Sequence, residues 1–332
     1  MTTRRIAILF IGVAISALLL WLAGRDVALE DVLLALRDAN PWAVLPFTLC
    51  LLVFYVIRTY RWKILLSPLT DARTRDLFGP VMIGYGGNFI LPFQLGEVAR
   101  TVAAMHRTRM PFMSIAFSIL VERVFDFLII LAALSISLAT HPELPSYVAD
   151  VGTGVGIAVA AAIVFLVVFA VRPRYAVDAV ERLAGFLPPR LRTLLVDQLS
   201  IGAEGLRSLR SRRVLIAAAV TSIAQWTFIA ICVWISFWAI GSRVPVSTTL
   251  LIVALIVLGS SIPTAPGYLG SFQAGYVVGI GAIGGDPVQA ISASIFYHVI
   301  YAVSALSLGL IAVRRSRLPF NRFTKKTAEP LG

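Results

Sequence analysis

The chain has 332 residues, of which 58% are hydrophobic, and its mean hydropathy is +0.88. Soluble domains are about 45–50% apolar, and several apolar runs here reach the ~20 residues of a spanning helix. The net charge of +12 is distributed between these runs, which is typical of membrane topology and not of nucleic-acid binding. Both cysteines, Cys50 and Cys232, lie inside apolar runs, which argues against a disulfide framework or a zinc site. We therefore predict an all-α polytopic membrane protein with no metal, no cofactor and no nucleic-acid partner.

In chain order, the apolar runs predict about six full spans. They cover residues 6–23, 41–57, 112–139, 151–171, 214–240 and 287–313. The first follows a short basic segment and reads as an uncleaved span, not as a signal peptide. Segments assigned to the cytoplasm hold 25 of the 29 Lys and Arg residues, so both termini are expected to be cytoplasmic.

Two stretches at membrane depth, 84–100 and 259–273, are interrupted by glycine and proline. Glycine costs a helix about 1 kcal/mol and proline about 3 kcal/mol, so neither stretch reads as an ordinary span. Irregular backbone is tolerated at this depth only where protein or a wet cavity covers it. Basic flanks on both sides of 78–100 predict a re-entrant hairpin open to the cytoplasm. The block 249–284 predicts a second hairpin that starts and ends outside.

The two broken stretches also indicate an internal repeat. The segment from Pro92 to Gly96 aligns with the segment from Pro266 to Gly270. We expect a single transmembrane domain over 1–313, with inverted-topology repeats at about 1–139 and 151–313. A cytoplasmic amphipathic segment over 172–213 and a basic cytoplasmic tail over 314–332 complete the prediction. Broken segments in corresponding halves point to a transporter's binding site.

Two sets of charged or polar residues lie near the first break and in the following span. Asn88, Glu97 and Arg100 predict either a lipid head-group site or an ion pair that closes the hairpin. Glu122, Arg123 and Asp126 form either part of that site or a polar seam that ties their helix to the first hairpin through Arg100. An ionised group at mid-membrane costs about 2.5–3.5 kcal/mol, which favours a functional reading for the first group.

Two further pairs have competing readings. Arg58 and Arg61 end the second span, where they are interpreted as anchors that snorkel to the interface or as contacts for a lipid phosphate. Tyr297 and His298 lie in the last span, where they are interpreted as a polar relay or, in preference, as packing residues.

Four motifs carry a resemblance to a known family. They are Arg58-Thr-Tyr-Arg61-Trp62, Gly87-Asn88-x-x-Leu-Pro92-x-x-x-Gly96-Glu97-x-x-Arg100, Glu122-Arg123-x-x-Asp126 and Pro263-x-x-Pro266-Gly267-x-x-Gly270. In this order the chain resembles the lysylphosphatidylglycerol synthase transmembrane-region family, which includes the flippase half of the multiple peptide resistance factor. The family usually has Pro-Gly-Gly-x-Gly and a following Glu, whereas here Tyr268 replaces the second glycine and Gln273 stands at the acid position. The sequence ends after a short basic tail, so we expect no soluble synthase domain.

The resemblance implies a flippase-like translocator in a bacterial or archaeal cell (inner) membrane. Its implied partners are an anionic phospholipid, an aminoacyl phospholipid, a polyprenyl-phosphate lipid or a hopanoid; a homo-oligomer and a separate lipid-modifying enzyme stay open. The predicted head-group or gating residues are Asn88, Pro92, Gly96, Glu97, Arg100, Glu122, Arg123, Asp126, Pro263, Pro266, Gly267, Gly270 and Gln273.

Two alternatives to translocation remain. One is an accessory protein that presents lipid to a separate lipid-modifying enzyme or glycosyltransferase. The other, less favoured, is an intramembrane hydrolase that pairs Ser260, Ser261 or Ser271 with His298. We expect no enzyme activity, because no motif marks one of these serines as activated and no phosphate-binding loop is present.

Overall fold

A computed structural model describes residues 3–25, 27–141, 146–171, 181–182, 188–260 and 265–316 of the protein. Throughout these residues the secondary structure is helical, with no strand, which confirms the all-α prediction. The predicted Ser261 and Pro263, most of 172–187 and the tail from 317 lie outside the described residues.

Twelve α-helices make up the described chain, in two sets of six. The first set is α1 (Thr3–Gly24), α2 (Leu29–Arg37), α3 (Val44–Leu66), α4 (Thr74–Ile90), α5 (Gly96–Thr108) and α6 (Phe112–Thr140). The second set is α7 (Ser146–Val171), α8 (Pro189–Gly205), α9 (Arg212–Ala239), α10 (Val246–Ser260), α11 (Ser271–Gly281) and α12 (Pro287–Ser316). Each set ends with a long helix, a pair of helices separated by a break, and another long helix.

Within the part of the chain that the structure describes, three helical stretches are long and apolar enough to cross a membrane. They are Pro41–Leu66, Arg212–Ala239 and Pro287–Ser316. A bent pair, Gly12–Gly24 and Leu29–Arg37, meets at 81° and forms either a broken span or a re-entrant loop. The protein is therefore multi-pass, although the six full spans expected from the sequence are not all confirmed. Helix α6 has 29 residues but carries three charged side chains in its middle.

Each broken stretch forms two helices that pack closely against one another through glycine. A Cβ atom on Gly84 would lie 2.9 Å from Cβ of Arg100, and one on Gly87 would lie 2.9 Å from Cα of Gly96. In the second pair, Gly275 would place a Cβ 3.2 Å from Cα of Ile256. The small residues bring the backbones together, as they do at helix interfaces in membranes.

The two breaks share an unusual backbone. In each, the proline is followed by two residues with positive φ: Phe93 (58°) and Gln94 (54°) in the first, Gly267 (77°) and Tyr268 (62°) in the second. A left-handed conformation costs a non-glycine residue about 1–2 kcal/mol, so three of these four positions are strained. The breaks also touch, because Nε2 of Gln94 donates a hydrogen bond to the carbonyl oxygen of Ser260 at 2.9 Å.

The two sets of helices exchange packing partners. Helices α2 and α4 of the first set pack against α12 of the second, while α8 and α10 of the second pack against α6 of the first. Helices α3 and α9, which occupy corresponding places in the two sets, pack against each other. This arrangement brings α3, α5, α6 and α9 together around the charged side chains of α6.

We expect Gly96→Ala to lower the melting temperature strongly, because the new Cβ would overlap the carbonyl oxygen of Gly84 and the side chain of Asn88. Overpacking of this kind typically costs about 1–3 kcal/mol. The matched control is Gly154→Ala, where nothing lies within 4 Å of the new atom. Thermal unfolding in detergent tests the pair, and equal melting temperatures would contradict the close packing of α4 on α5.

Candidate functional site

The site is built around the carboxylate of Asp126, on α6. Arg58 Nη1 lies 3.1 Å from Oδ2, and Arg61 Nη1 lies 2.7 Å from Oδ1. Both arginines are on α3, almost one helical turn apart, so their side chains reach α6 together. The exposed fractions of their side chains are 3% and 0%. The prediction that they snorkel to the membrane interface is therefore wrong, because both pair with carboxylates inside the protein.

Glu122 lies one turn before Asp126 and extends the same network. Its Oε1 accepts a hydrogen bond from Nη2 of Arg61 at 2.9 Å and lies 3.6 Å from Nε of Arg58. Its Oε2 lies 3.0 Å from Nη2 of Arg100, an ion pair by distance that links α6 to α5. The sequence-based idea of a polar seam through Arg100 describes this contact.

Arg100 is almost fully buried and has a second anchor on an aromatic ring. Its guanidinium carbon lies 3.8 Å from the ring centroid of Trp62, in a cation–π contact with α3. Its Nη1 lies 3.3 Å from Oε2 of Glu97, three residues before it on α5. The topology prediction includes Arg58, Arg61 and Arg100 among its 25 cytoplasmic charges. The structure instead places all three in this buried network.

Glu97 and Arg123 form the outer edge of the network. Arg123 Nη2 forms an ion pair with Oε1 of Glu97. The exposed fractions of their side chains are 35% for Arg123 and 22% for Glu97, against 0–3% for the inner members. Solvent exposure therefore increases across the network, from the enclosed pairs on α3 to the accessible pair between α5 and α6.

Helix α9 surrounds the inner pairs with two neutral donors and one neutral acceptor. Gln225 Nε2 and Trp226 Nε1 donate to Oδ1 of Asp126 at 2.8 and 3.0 Å, and Arg61 donates to Oγ of Ser222 at 2.8 Å. Sequence analysis missed these residues. The signal was present, since Ser222 and Gln225 are polar residues three apart within a predominantly apolar span.

The charges in this cluster do not balance. Within the described residues it contains four arginines and three carboxylates, which leaves one positive charge in excess. Removing an ion from water costs several kcal/mol even after relaxation, and only well-made ion pairs offset that cost. An unmatched charge at the accessible edge is therefore a place where an anion would be stabilised.

A cavity of about 440 Å³ opens onto this edge. Its polar lining comes from Arg58, Asn88, Gln94, Glu97, Arg123, Asp126 and Ser260. Aromatic side chains form much of the remaining wall, namely Phe54, Tyr85, Phe127, Trp226, Tyr268, Phe272, Tyr297 and Tyr301. We call it the polar cavity. It combines fixed charges with an apolar wall, as binding sites for small molecules commonly do.

A second space, of about 590 Å³, adjoins the first. It is lined by α1, α6, α7, α10 and α11, and its described lining is apolar except for Arg123 and Ser271. We call it the apolar pocket. The two spaces share Leu120, Arg123 and Phe127 in their walls. Arg123 thus lies between a polar cavity and an apolar pocket.

The first break places its predicted residues at the polar cavity. Asn88 is buried and lines the cavity, and its Oδ1 accepts no hydrogen bond within the described residues. Pro92 lies in the turn between α4 and α5, and its carbonyl accepts from the N–H of Leu95 at 3.2 Å. Gly96 begins α5 and packs against Gly84 and Asn88.

The second break is built differently from the first. Gln273 Oε1 accepts from the N–H of Gly270 at 2.9 Å, so this side chain caps the start of α11. It does not line the polar cavity and is not the counterpart of Glu97, which ion-pairs with two arginines. Pro266 and Gly267 form the adjoining turn, where Gly267 lies against Phe89 of α4.

The remaining candidates lie among aromatic rings and helix turns. Tyr297 lines the polar cavity, and His298 packs edge-on against Phe89 and Phe272, with centroid separations of 5.8 and 5.2 Å. The hydroxyls of Ser260 and Ser271 donate to the carbonyls of Val257 and Tyr268, so neither is directed at His298.

These features define an all-helical, multi-pass membrane protein with a charged cavity enclosed by its helices. Residues 9–309 match the family profile "Lysylphosphatidylglycerol synthase TM region", and the chain belongs to this family. It is 24% identical over 330 residues to "Glycosyltransferase AglD" of Haloferax volcanii, covering 90% of this chain and 52% of that protein. It is 25% identical over 331 residues to a "UPF0104 membrane protein" of Methanothermobacter thermautotrophicus, covering 93% and 92%.

The chain spans about half the length of the first of these relatives and nearly the whole of the second. No solved structure matches the chain.

We expect Arg61→Gln to destabilise the protein by about 3–5 kcal/mol, because it leaves the buried Glu122 and Asp126 short of a cation. The control is the same substitution at Arg107, whose pair with Asp76 is at the surface and whose side chain is 63% exposed. Such exposed pairs contribute about 0–1 kcal/mol. Denaturant unfolding in detergent measures both, and equal losses would contradict the burial of the network.

Proposed function

We propose that this protein is a lipid translocator that moves a lipid with an anionic head group between the two leaflets of a membrane. The observation that carries the proposal is the junction at Arg123, where the polar cavity meets the apolar pocket. A lipid has a polar head and an apolar chain joined at one point. The head group would occupy the polar cavity while the chain occupies the apolar pocket.

The charge of the network supports an anionic head group. Four arginines against three carboxylates favour a phosphate and disfavour a head group of net positive charge. Among the lipids that the family resemblance implies, this selects an anionic phospholipid or a polyprenyl phosphate over a cationic aminoacyl phospholipid or a neutral hopanoid. The guanidinium of Arg123 could pair with two phosphate oxygens at once.

The pair of Arg123 and Glu97 is the element that would respond to the lipid. A phosphate that pairs with Arg123 competes with Glu97 for the same guanidinium. Glu97 keeps Arg100 as a partner when this happens, so no carboxylate is left alone. The pairs of Asp126 with Arg58 and Arg61 would remain unchanged, because these side chains are at most 3% exposed although Arg58 and Asp126 line the cavity.

The exchange of packing partners between the two sets of helices supports an inverted-topology repeat. Each hairpin packs against the last helix of the other set, as expected for two units related by a twofold axis. In this proposal the hairpins are re-entrant and enter from opposite faces, and their breaks meet beside the polar cavity. The basic segments favour cytoplasmic termini in this proposal, with the protein in the cell membrane of a bacterium or archaeon.

A second candidate function follows from the comparisons. One relative is named a glycosyltransferase and is about twice as long as this chain. The same two spaces could present a lipid to a separate lipid-modifying enzyme or glycosyltransferase without carrying it across. A lipid that binds in the polar cavity but does not change leaflet in the purified protein would favour this candidate.

We expect Arg123→Gln and Glu97→Gln each to slow transport of an anionic lipid by about tenfold or more. Arg123→Gln removes the charge-assisted contact to the phosphate, which is worth roughly 1.5–3 kcal/mol. Glu97→Gln removes the carboxylate that competes with the phosphate for Arg123, so the phosphate leaves Arg123 more slowly. Gln273→Glu, at the start of α11 and away from the cavity, should slow transport less. The measurement is a leaflet assay in vesicles with fluorescent phosphatidylglycerol, polyprenyl phosphate and lysylphosphatidylglycerol. Wild-type rates in both Arg123→Gln and Glu97→Gln would exclude this site.

The apolar pocket can be tested separately. Ala162 lines it, whereas the neighbouring Ala161 is exposed on the same helix. Ala162→Phe should fill part of the pocket and slow transport of long-chain lipids, and Ala161→Phe should leave the rate unchanged. The same leaflet assay compares the two variants. If both phenylalanine variants transport lipid as the wild type does, the pocket does not hold the chain.

A further inference from the structure

A third cavity, of about 520 Å³, lies away from the polar cavity, where α4 begins and α5 and α12 end. Arg75 is the second residue of α4, and Arg107 and Arg315 are the last residues but one of α5 and α12. Three helix termini therefore bring three arginines to one opening. His106 contributes a fourth basic side chain to the lining.

The cavity exists because α4 and α12 are in close contact around Gly86 and separate toward the first residues of α4 and the last residues of α12. A Cβ on Gly86 would lie 3.0 Å from the carbonyl oxygen of Ala305 and 3.2 Å from Cα of Gly309. Two turns earlier in α4, a Cβ on Gly79 would lie 4.0 Å from that of Ala312. The space between the helices then opens toward their ends, where the lining side chains are larger.

The lining is apolar inside and cationic at its rim. Phe78, Ile83, Leu308 and Ile311 contribute apolar surface. Asp76 supplies the carboxylate among the described lining residues, and its Oδ1 is paired with Nη2 of Arg107 at 3.2 Å. The exposed side chains of Arg75 and Arg315 make no ion pair within the described residues. The described lining thus has three arginines and one carboxylate.

We propose that this cavity binds the phosphate of an anionic phospholipid drawn from the adjacent leaflet. Arg75 and Arg315 bind the phosphate oxygens, and the first carbons of an acyl chain lie on the apolar wall. A soluble phosphate ester would satisfy the rim but would leave that wall uncovered. The bound lipid would join the open end of the α4–α5 hairpin to α12. This site is separate from the polar cavity and does not depend on the proposed translocation.

The test is native mass spectrometry of the full chain, purified in detergent, with dioleoylphosphatidylglycerol added. Dioleoylphosphatidylcholine has the same chains and a phosphodiester balanced by a choline cation, so it measures binding of a lipid that has no net negative charge. The double variant Arg75→Gln/Arg315→Gln should retain one tightly bound phosphatidylglycerol fewer than the wild type, with affinity at this site lower by about tenfold or more. Arg314→Gln is the matched control, because Arg314 is exposed on the same turn and does not line the cavity.

Three outcomes would overturn the proposal. The double variant could bind as much phosphatidylglycerol as the wild type. Arg314→Gln could lose as much as the double variant, which would indicate a diffuse surface charge without a site. Finally, sn-glycerol 3-phosphate could displace the lipid at an equal concentration, which would assign the rim to free phosphate esters. Melting temperatures check that the variants fold. If the double variant does not fold, Arg315→Gln alone replaces it, and a smaller loss of bound phosphatidylglycerol is then expected.

Discussion

The central region depends on keeping five charged side chains, those of Arg58, Arg61, Arg100, Glu122 and Asp126, out of both water and lipid. The pairs of Asp126 and Glu122 with Arg58, Arg61 and Arg100 join α3, α5 and α6, and Gln225 adds α9. An ion pair at this depth stabilises the protein only when its geometry is close to ideal, because the desolvation of each ion costs several kcal/mol. The positions of four helices are therefore coupled, since moving any one of them would leave a buried charge without its partner.

The same network changes character from its centre to its edge. Asp126 accepts from two arginines, a glutamine and a tryptophan, so its carboxylate already has four donors within the protein. Arg123 has one carboxylate partner and borders both the polar cavity and the apolar pocket. The inner pairs thus have a structural role, and the outer pair is the one that the proposed lipid would meet.

The hairpins bring this edge within reach of a ligand. Glycine contacts hold α4 close to α5, so that Asn88 and Glu97 lie beside the same cavity. The strained residues after each proline end one helix and turn the chain into the next, and the first tip is held by the hydrogen bond from Gln94 to Ser260. Strain of this kind persists only where surrounding contacts compensate it, which is common at functional sites.

Hydropathy alone determined the helical, multi-pass class, and the glycine and proline pattern located both breaks to within a few residues, because these signals are local. Only the tertiary structure decided the partners of Arg58 and Arg61. Arg58 and Arg61 would have the same spacing whether they snorkelled to the interface or paired with Asp126, which lies 65 or more residues away in the sequence. Gln273 was likewise aligned with an acid by sequence, whereas the structure uses it as a helix cap. Long-range pairing depends on how helices pack, and no local pattern records it.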